Sequence, residues 1–80
     1  MITGQIPSEL ADIVDLSDVQ LQYNSLYGSI PSGFGRCRSL TIFDVSSNRL
    51  TGSIPSTFGE LILLEDFRVA NNSLQGKIPS

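Results

Sequence analysis

Residues 40–55 read LTIFDVSSNRLTGSIP, and this stretch decides the fold. Phe43 and Val45 are apolar residues at a spacing of two, of aromatic and β-branched type. That spacing predicts a short strand with one face buried. Asn48 follows, then Leu50-x-Gly52-x-Ile54-Pro55. Proline cannot continue a helix and restricts the residue before it, so this second piece is extended or turning. Ahead of the strand, Cys37, Leu40 and Phe43 are spaced by three, as are Ile13, Leu16 and Val19. Spacing by three predicts a tight helical turn, 3₁₀ or a single α turn.

The same text returns 24 residues upstream as LSDVQLQYNSLYGSIP (16–31) and 24 downstream as LEDFRVANNSLQGKIP (64–79). All four prolines obey the period: Pro7, Pro31, Pro55 and Pro79, each after an isoleucine and each three residues past a glycine. Apolar columns keep the register: Ile2, Leu26, Leu50, Leu74; Leu10, Phe34, Phe58; Ile13, Cys37, Leu61; Leu16, Leu40, Leu64; Val19, Phe43, Phe67; Leu21, Val45, Val69. A fixed period of this size marks a repeat array, in which units too small to bury their own apolar faces stack into one continuous core. The single polar column among them is Asn24, Asn48 and Asn72. An amide side chain carries two donors and an acceptor, so this column can satisfy backbone groups that the sharp turn after each strand leaves unpaired, within and between coils.

Composition excludes several classes. The 80 residues carry five basic and eight acidic side chains, net −3. A negative chain with scattered cations is not built to hold a nucleic-acid backbone. No apolar run approaches the roughly 18 residues of a membrane span, so no membrane contact is expected of this segment. Without histidine, and with one cysteine, there is no metal cluster, no internal disulfide and no partner to activate a thiol. Cys37 falls in a core column and reads as a small buried hydrophobe. No phosphate-cradling glycine motif occurs, and the carboxylates fall in solvent-facing phases, so neither a cofactor nor a catalytic dyad is expected.

The pattern Leu16-x-x-Val19-x-Leu21-x-x-Asn24-x-Leu26, repeated over 40–50 and 64–74, resembles the leucine-rich repeat. The continuation Gly-x-Ile-Pro-x-x-Phe-Gly, as in Phe34-Gly35 and Phe58-Gly59, is similar to the plant-type subclass; Leu10-Ala11 departs from it with another small residue. The resemblance implies a repeat solenoid of the leucine-rich repeat α/β class. Such a solenoid is a right-handed coil with a concave parallel β-sheet of three short strands and 3₁₀ or short helical turns on the convex side. A second short strand is implied around Leu-x-Gly-x-Ile. The array divides as a partial repeat 1–12, repeats 13–36 and 37–60, and a partial repeat 61–80, without caps, signal peptide or membrane span, and so reads as a fragment. The family's members are ectodomains of receptor-like kinases and receptor-like proteins, at the extracellular face of the plasma membrane or in the cell wall. They bind peptide or protein ligands, with co-receptors, and catalyse nothing through the repeats. Secreted polygalacturonase-inhibitor-like proteins share the pattern, and a truncated array acting only as scaffold is the third reading.

Side chains alternate faces along a strand. With Val19, Leu21 and their equivalents inward, the concave surface is formed by Asp18, Gln20, Gln22, Tyr23; Ile42, Asp44, Ser46, Ser47; and Asp66, Arg68, Ala70, Asn71. Tyr23 is of a type enriched in binding hot spots, or it packs over the Asn24 turn. Ile42 between two aspartates is either a contact residue or an isolated exposed apolar side chain. Asp44 and Arg68, on adjacent strands, predict a surface ion pair. Asn71-Asn72-Ser73 is an N-glycosylation acceptor triplet.

Overall fold

A computed structural model describes residues 2–75. Strands β2 (Asp18–Gln20), β4 (Ile42–Asp44) and β6 (Asp66–Arg68) form one parallel sheet in that order. Their ladder holds the sequence period without slippage: Asp18 faces Ile42 and Ile42 faces Asp66, with the next two positions following suit. Val19 and Phe43 point into the core while their neighbours do not, as the alternation predicts.

The implied second strand is present in every coil. Strands β1 (Thr3–Gln5), β3 (Ser25–Gly28), β5 (Arg49–Ser53) and β7 (Ser73–Gln75) make a four-stranded parallel sheet. Its register is different. Thr3 faces Ser25, Tyr27 faces Arg49 and Thr51 faces Ser73, an offset of 22 rather than 24. Two residues of stagger displace successive strands by about 6.6 Å along their length and leave the inward face inward. Gly28 is the last residue of β3 and Gly52 the last but one of β5, with φ of 84° and 81°, a region that a side chain would disfavour.

Between the sheets the chain runs as consecutive i→i+3 turns. The Leu10 N–H donates to the Pro7 carbonyl, Ile13 to Leu10, and Leu16 to Ile13; the series repeats from Pro31 to Leu40 and from Pro55 to Leu64. The spacing by three is therefore a hydrogen-bonding period. The regular 3₁₀ helices, however, lie one turn earlier than that spacing suggests, at Ser8–Asp12, Ser32–Arg36 and Ser56–Glu60. Each proline stands just ahead, where its fixed φ starts the helix and its missing N–H is not needed. Val19, the third member of the expected stripe, is already in β2.

The core sits in the middle coil. Phe34, Leu40, Phe43, Val45 and Leu50 are fully buried. The Phe43 ring lies 5.3, 5.1 and 6.0 Å from those of Phe34, Phe58 and Phe67. Two columns, one on the 3₁₀ helices and one on the concave strands, thus meet as an aromatic cluster. The first coil lacks a neighbour on its outer side among the described residues. Ile2 and Ile13, placed in core columns by the sequence, are consequently 58% and 49% exposed. Gly76, Ile78 and Pro79, which continue the Gly4, Ile6 and Pro7 columns, lie outside the described residues.

Convex coils approach closely because of Gly35. A Cβ there would overlap the Thr57 side chain and come within 3.0 Å of the Thr57 carbonyl carbon. Thr57 is itself held by its hydroxyl donating to the Ser32 carbonyl at 3.1 Å. Overpacking of this kind costs about 1–3 kcal/mol. Gly35→Ala is expected to lower the urea midpoint accordingly. An unchanged midpoint would show that the coils can separate freely here.

Candidate functional site

The twelve concave residues line up in lateral rows, one residue per coil: Asp18, Ile42, Asp66; Gln20, Asp44, Arg68; Gln22, Ser46, Ala70; and Tyr23, Ser47, Asn71. The first two rows stand on the strands themselves, the last two on the turns that follow. Tyr23 is 75% exposed, while Ile42 is half-buried between its neighbours.

The short polar contacts on this face run along the chain, between residues two apart; across coils the Asn71 amide makes one long contact, to Ser47 Oγ at 3.4 Å. The Gln20 amide donates to both Asp18 oxygens at 3.0 and 3.1 Å. Arg68 Nε donates to Asp66 Oδ1 at 2.8 Å. Asp44 Oδ1 accepts the Ser46 N–H at 3.0 Å and the Ser46 hydroxyl at 2.7 Å. The cross-strand ion pair expected of Asp44 and Arg68 is therefore not formed. The strand-end turn offers Asp44 two donors, and Arg68 has a carboxylate on its own strand. That hydrogen bond to Asp66, reinforced by the Asp66 charge, raises the Arg68 pKa above its ordinary value.

The asparagine column does what its chemistry allows. The Asn48 amide donates to the carbonyls of Val45 and Ser46 in its own coil and of Leu21 in the preceding one, at 2.9–3.1 Å. Its oxygen accepts the Leu26 N–H at 3.1 Å. Asn72 repeats the set with Val69, Ala70, Val45 and the Leu50 N–H. Asn24 bonds Leu21 and Gln22 in its own coil and accepts the Ile2 N–H.

The residue before each ladder asparagine has positive φ: Tyr23 at 59°, Ser47 at 56° and Asn71 at 58°. This left-handed step lets the strand end abruptly and returns the next amide toward the carbonyls it caps. Asparagine tolerates the conformation; for other L-residues it costs about 1–2 kcal/mol, and a bulky tyrosine there is uncommon. The strain fixes Tyr23 on the rim of the face, with its N–H donating to the Ser46 carbonyl at 3.1 Å.

At the C-terminal ends of β4 and β6 the face sinks into a depression of about 490 Å³, bounded by Tyr23, Ser46, Ser47, Phe67, Arg68, Val69, Ala70 and Asn71. Six of these eight belong to the expected surface. Phe67 and Val69 do not, because their phase is inward. On β6, with no further strand beside it among the described residues, they stay half-buried and reach the depression. Gln22, which does not line the depression, has its Oε1 buried without a hydrogen-bond partner. Asp18, Gln20, Ile42, Asp44 and Asp66 lie outside the depression, on the strands leading to it.

Elsewhere, Cys37 is buried, and desolvation pushes its thiol pKa up, away from the reactive thiolate. Among the described residues no group of three or more His, Cys, Asp or Glu side chains could hold a metal ion. No helix among them is long and apolar enough to cross a membrane.

A family model for the Leucine Rich Repeat matches residues 39–61, about one coil of this chain. Comparison with curated proteins gives no match. Solved structures match over nearly the whole chain. The BIR3–SERK2 complex from Arabidopsis thaliana is 39% identical over 98% of this chain and 42% of its own, with a TM-score of 0.89. The plant peptide hormone receptor RGFR1, in complex with RGF2, is 39% identical over 90% of this chain and 12% of its own, TM-score 0.86. A plant ice-binding protein is 36% identical over 98% of this chain and 25% of its own, TM-score 0.90. The chain thus spans less than half the length of each. One coil architecture serves these different roles, so the ligand must be argued from side chains rather than from the fold.

Proposed function

The chain is a leucine-rich repeat array of the plant receptor type, and from that premise we propose that it is a ligand-reading segment of the extracellular part of a receptor-like kinase or receptor-like protein. On this reading the membrane span and any kinase domain belong to other parts of the parent protein, and these repeats bind without catalysing. The observation that carries it is the concave face. Three in-register strands present outward rows that lead into a depression with aromatic and aliphatic walls and hydroxyls at its rim. Apolar concavities with a few polar groups are where ligands settle. The similarity to a peptide hormone receptor and to a receptor complex supports a peptide or protein partner, a co-receptor included.

Charge narrows the class. The face carries Asp18, Asp44 and Asp66 against Arg68 alone, and Arg68 is already engaged by Asp66. An extended peptide with a basic side chain toward Asp44 and an apolar one toward Tyr23 fits this distribution. The test is selection of a random peptide display library on the immobilised chain, followed by affinity measurement with synthetic copies of the selected peptides. Ile42→Ser and Tyr23→Ser are expected to weaken binding about tenfold or more, or ~1.4 kcal/mol. Tyr27→Ser, on the second sheet, is expected to leave it unchanged. Selected peptides that ignore both concave substitutions would overturn the reading.

A further inference from the structure

Four asparagines are present, and three of them, Asn24, Asn48 and Asn72, are committed to the ladder. Asn71 is not. Its amide makes one long contact, to Ser47 Oγ at 3.4 Å, and the residue is exposed. It alone heads an acceptor triplet, Asn71-Asn72-Ser73, whose serine is exposed too. The left-handed backbone at Asn71 is one that asparagine adopts readily, so a sugar there adds no strain to the turn. A substituent on Asn72 would break the bonds to Val45, Val69 and Ala70 that tie two coils together. On Asn71 it breaks none of them.

The position also matters. Tyr23, Ser47 and Asn71 form one row across three coils, so Tyr23 and Asn71 face each other across the depression, about 10 Å apart at two strand spacings. We propose that Asn71 carries an N-linked glycan, and that this glycan forms a wall over the turn side of the depression, leaving access from the aspartate-bearing strands. The proposal rests on the reading of the chain as an exported segment. The acceptor chemistry is group transfer from a lipid-linked oligosaccharide. Asn71 Nδ2 bonds to C1 of the first sugar, the C1–oxygen bond to the lipid pyrophosphate breaks, and the amide proton leaves to the transferase base as the pyrophosphate takes the electron pair. A wall on this side selects against ligands that would lie over the turns and favours those that lie along the strands.

The first test is translation of the full chain, behind a secretory leader, into microsomes. Transfer takes place on the unfolded chain, so the readout does not depend on stability. A mass increase of one glycan is expected, removed by an amidase specific for N-glycans and absent in Ser73→Ala; no increase in the translocated chain overturns the assignment. The second test compares nitration of Tyr23 and Tyr27 in the purified glycosylated chain and in Ser73→Ala. Tyr27 lies on the other sheet and serves as the internal control. Severalfold slower nitration of Tyr23 alone is expected, and equal rates in the two proteins overturn the wall. Peptide binding is measured on chain made without glycan, so failure of either test leaves the binding reading to its own experiment.

Discussion

Asn48→Leu is expected to lose about 3–5 kcal/mol, a large share of the stability of a chain this size. Asn48 is buried, and its amide and oxygen satisfy the carbonyls of Leu21, Val45 and Ser46 and the N–H of Leu26. Leucine fills the same volume and offers no polar atom. Each buried group left unpaired costs about 1–3 kcal/mol, and water cannot reach all of them in the middle coil. An 80-residue chain has about 4–12 kcal/mol to lose. Asn24→Leu is expected to cost clearly less, because its partners include the exposed Ile2 and solvent can replace it in the first coil. Urea unfolding followed by circular dichroism ranks the two, and hydrogen exchange reads the mechanism at one atom. The Leu26 amide should lose its protection in any folded population of Asn48→Leu. Equal losses at Asn24 and Asn48 would mean that the ladder stabilises each coil separately rather than joining coils.

That gradation could not be read from the columns, in which Asn24 and Asn48 are equivalent. Periodicity reports which positions share an environment in an endless stack. It identified the register of the first sheet and the inward phase of Val19 and Phe43, both consequences of repetition, whereas the second strand was implied only by the family resemblance. It placed Ile2 and Ile13 inside, and they are exposed because, among the described residues, no further coil lies against the first. The 22-residue register of the second sheet is also invisible. It arises from how each coil is tilted on the next, and any offset of even parity keeps the same side chains buried. The concave set of twelve residues followed from alternation alone, and six of them bound the depression. Phe67 and Val69 were missed because their inward phase hides the exposure they have on β6, which has no further strand beside it among the described residues. The expected Asp44–Arg68 pair failed for a local reason. Adjacent strands bring such side chains near each other, but the turn donors of Ser46 and the carboxylate of Asp66 lie nearer still. Nothing in the composition of Tyr23-Asn24 announces a left-handed tyrosine. It becomes legible once Ser47 and Asn71 show the same φ at the same phase.

Phe43→Ala is expected to be the other severe substitution, at about 3–5 kcal/mol. Phe43 is fully buried and its ring meets three others, from the 3₁₀ helix before it in the chain, the 3₁₀ helix after it and the next concave strand. Such ring contacts add to the area already removed from water. Truncation opens a cavity where neither helix can collapse, since Gly35 and Thr57 already hold the two at contact. Phe67→Ala removes the same atoms from the same column and should cost less, roughly 1–2 kcal/mol, because Phe67 is half-buried and its loss leaves a dent rather than a void. Urea midpoints separate these cases, and similar losses would place the centre of the core at the last coil instead. The consequence reaches the concave face. Ile42 and Asp44 flank Phe43 on β4, and their outward rows are held in place by the ring behind them. Peptides selected on the parent chain should therefore bind Phe43→Ala weakly even where it remains folded, whereas Phe67→Ala should disturb mainly contacts at the depression that Phe67 itself lines.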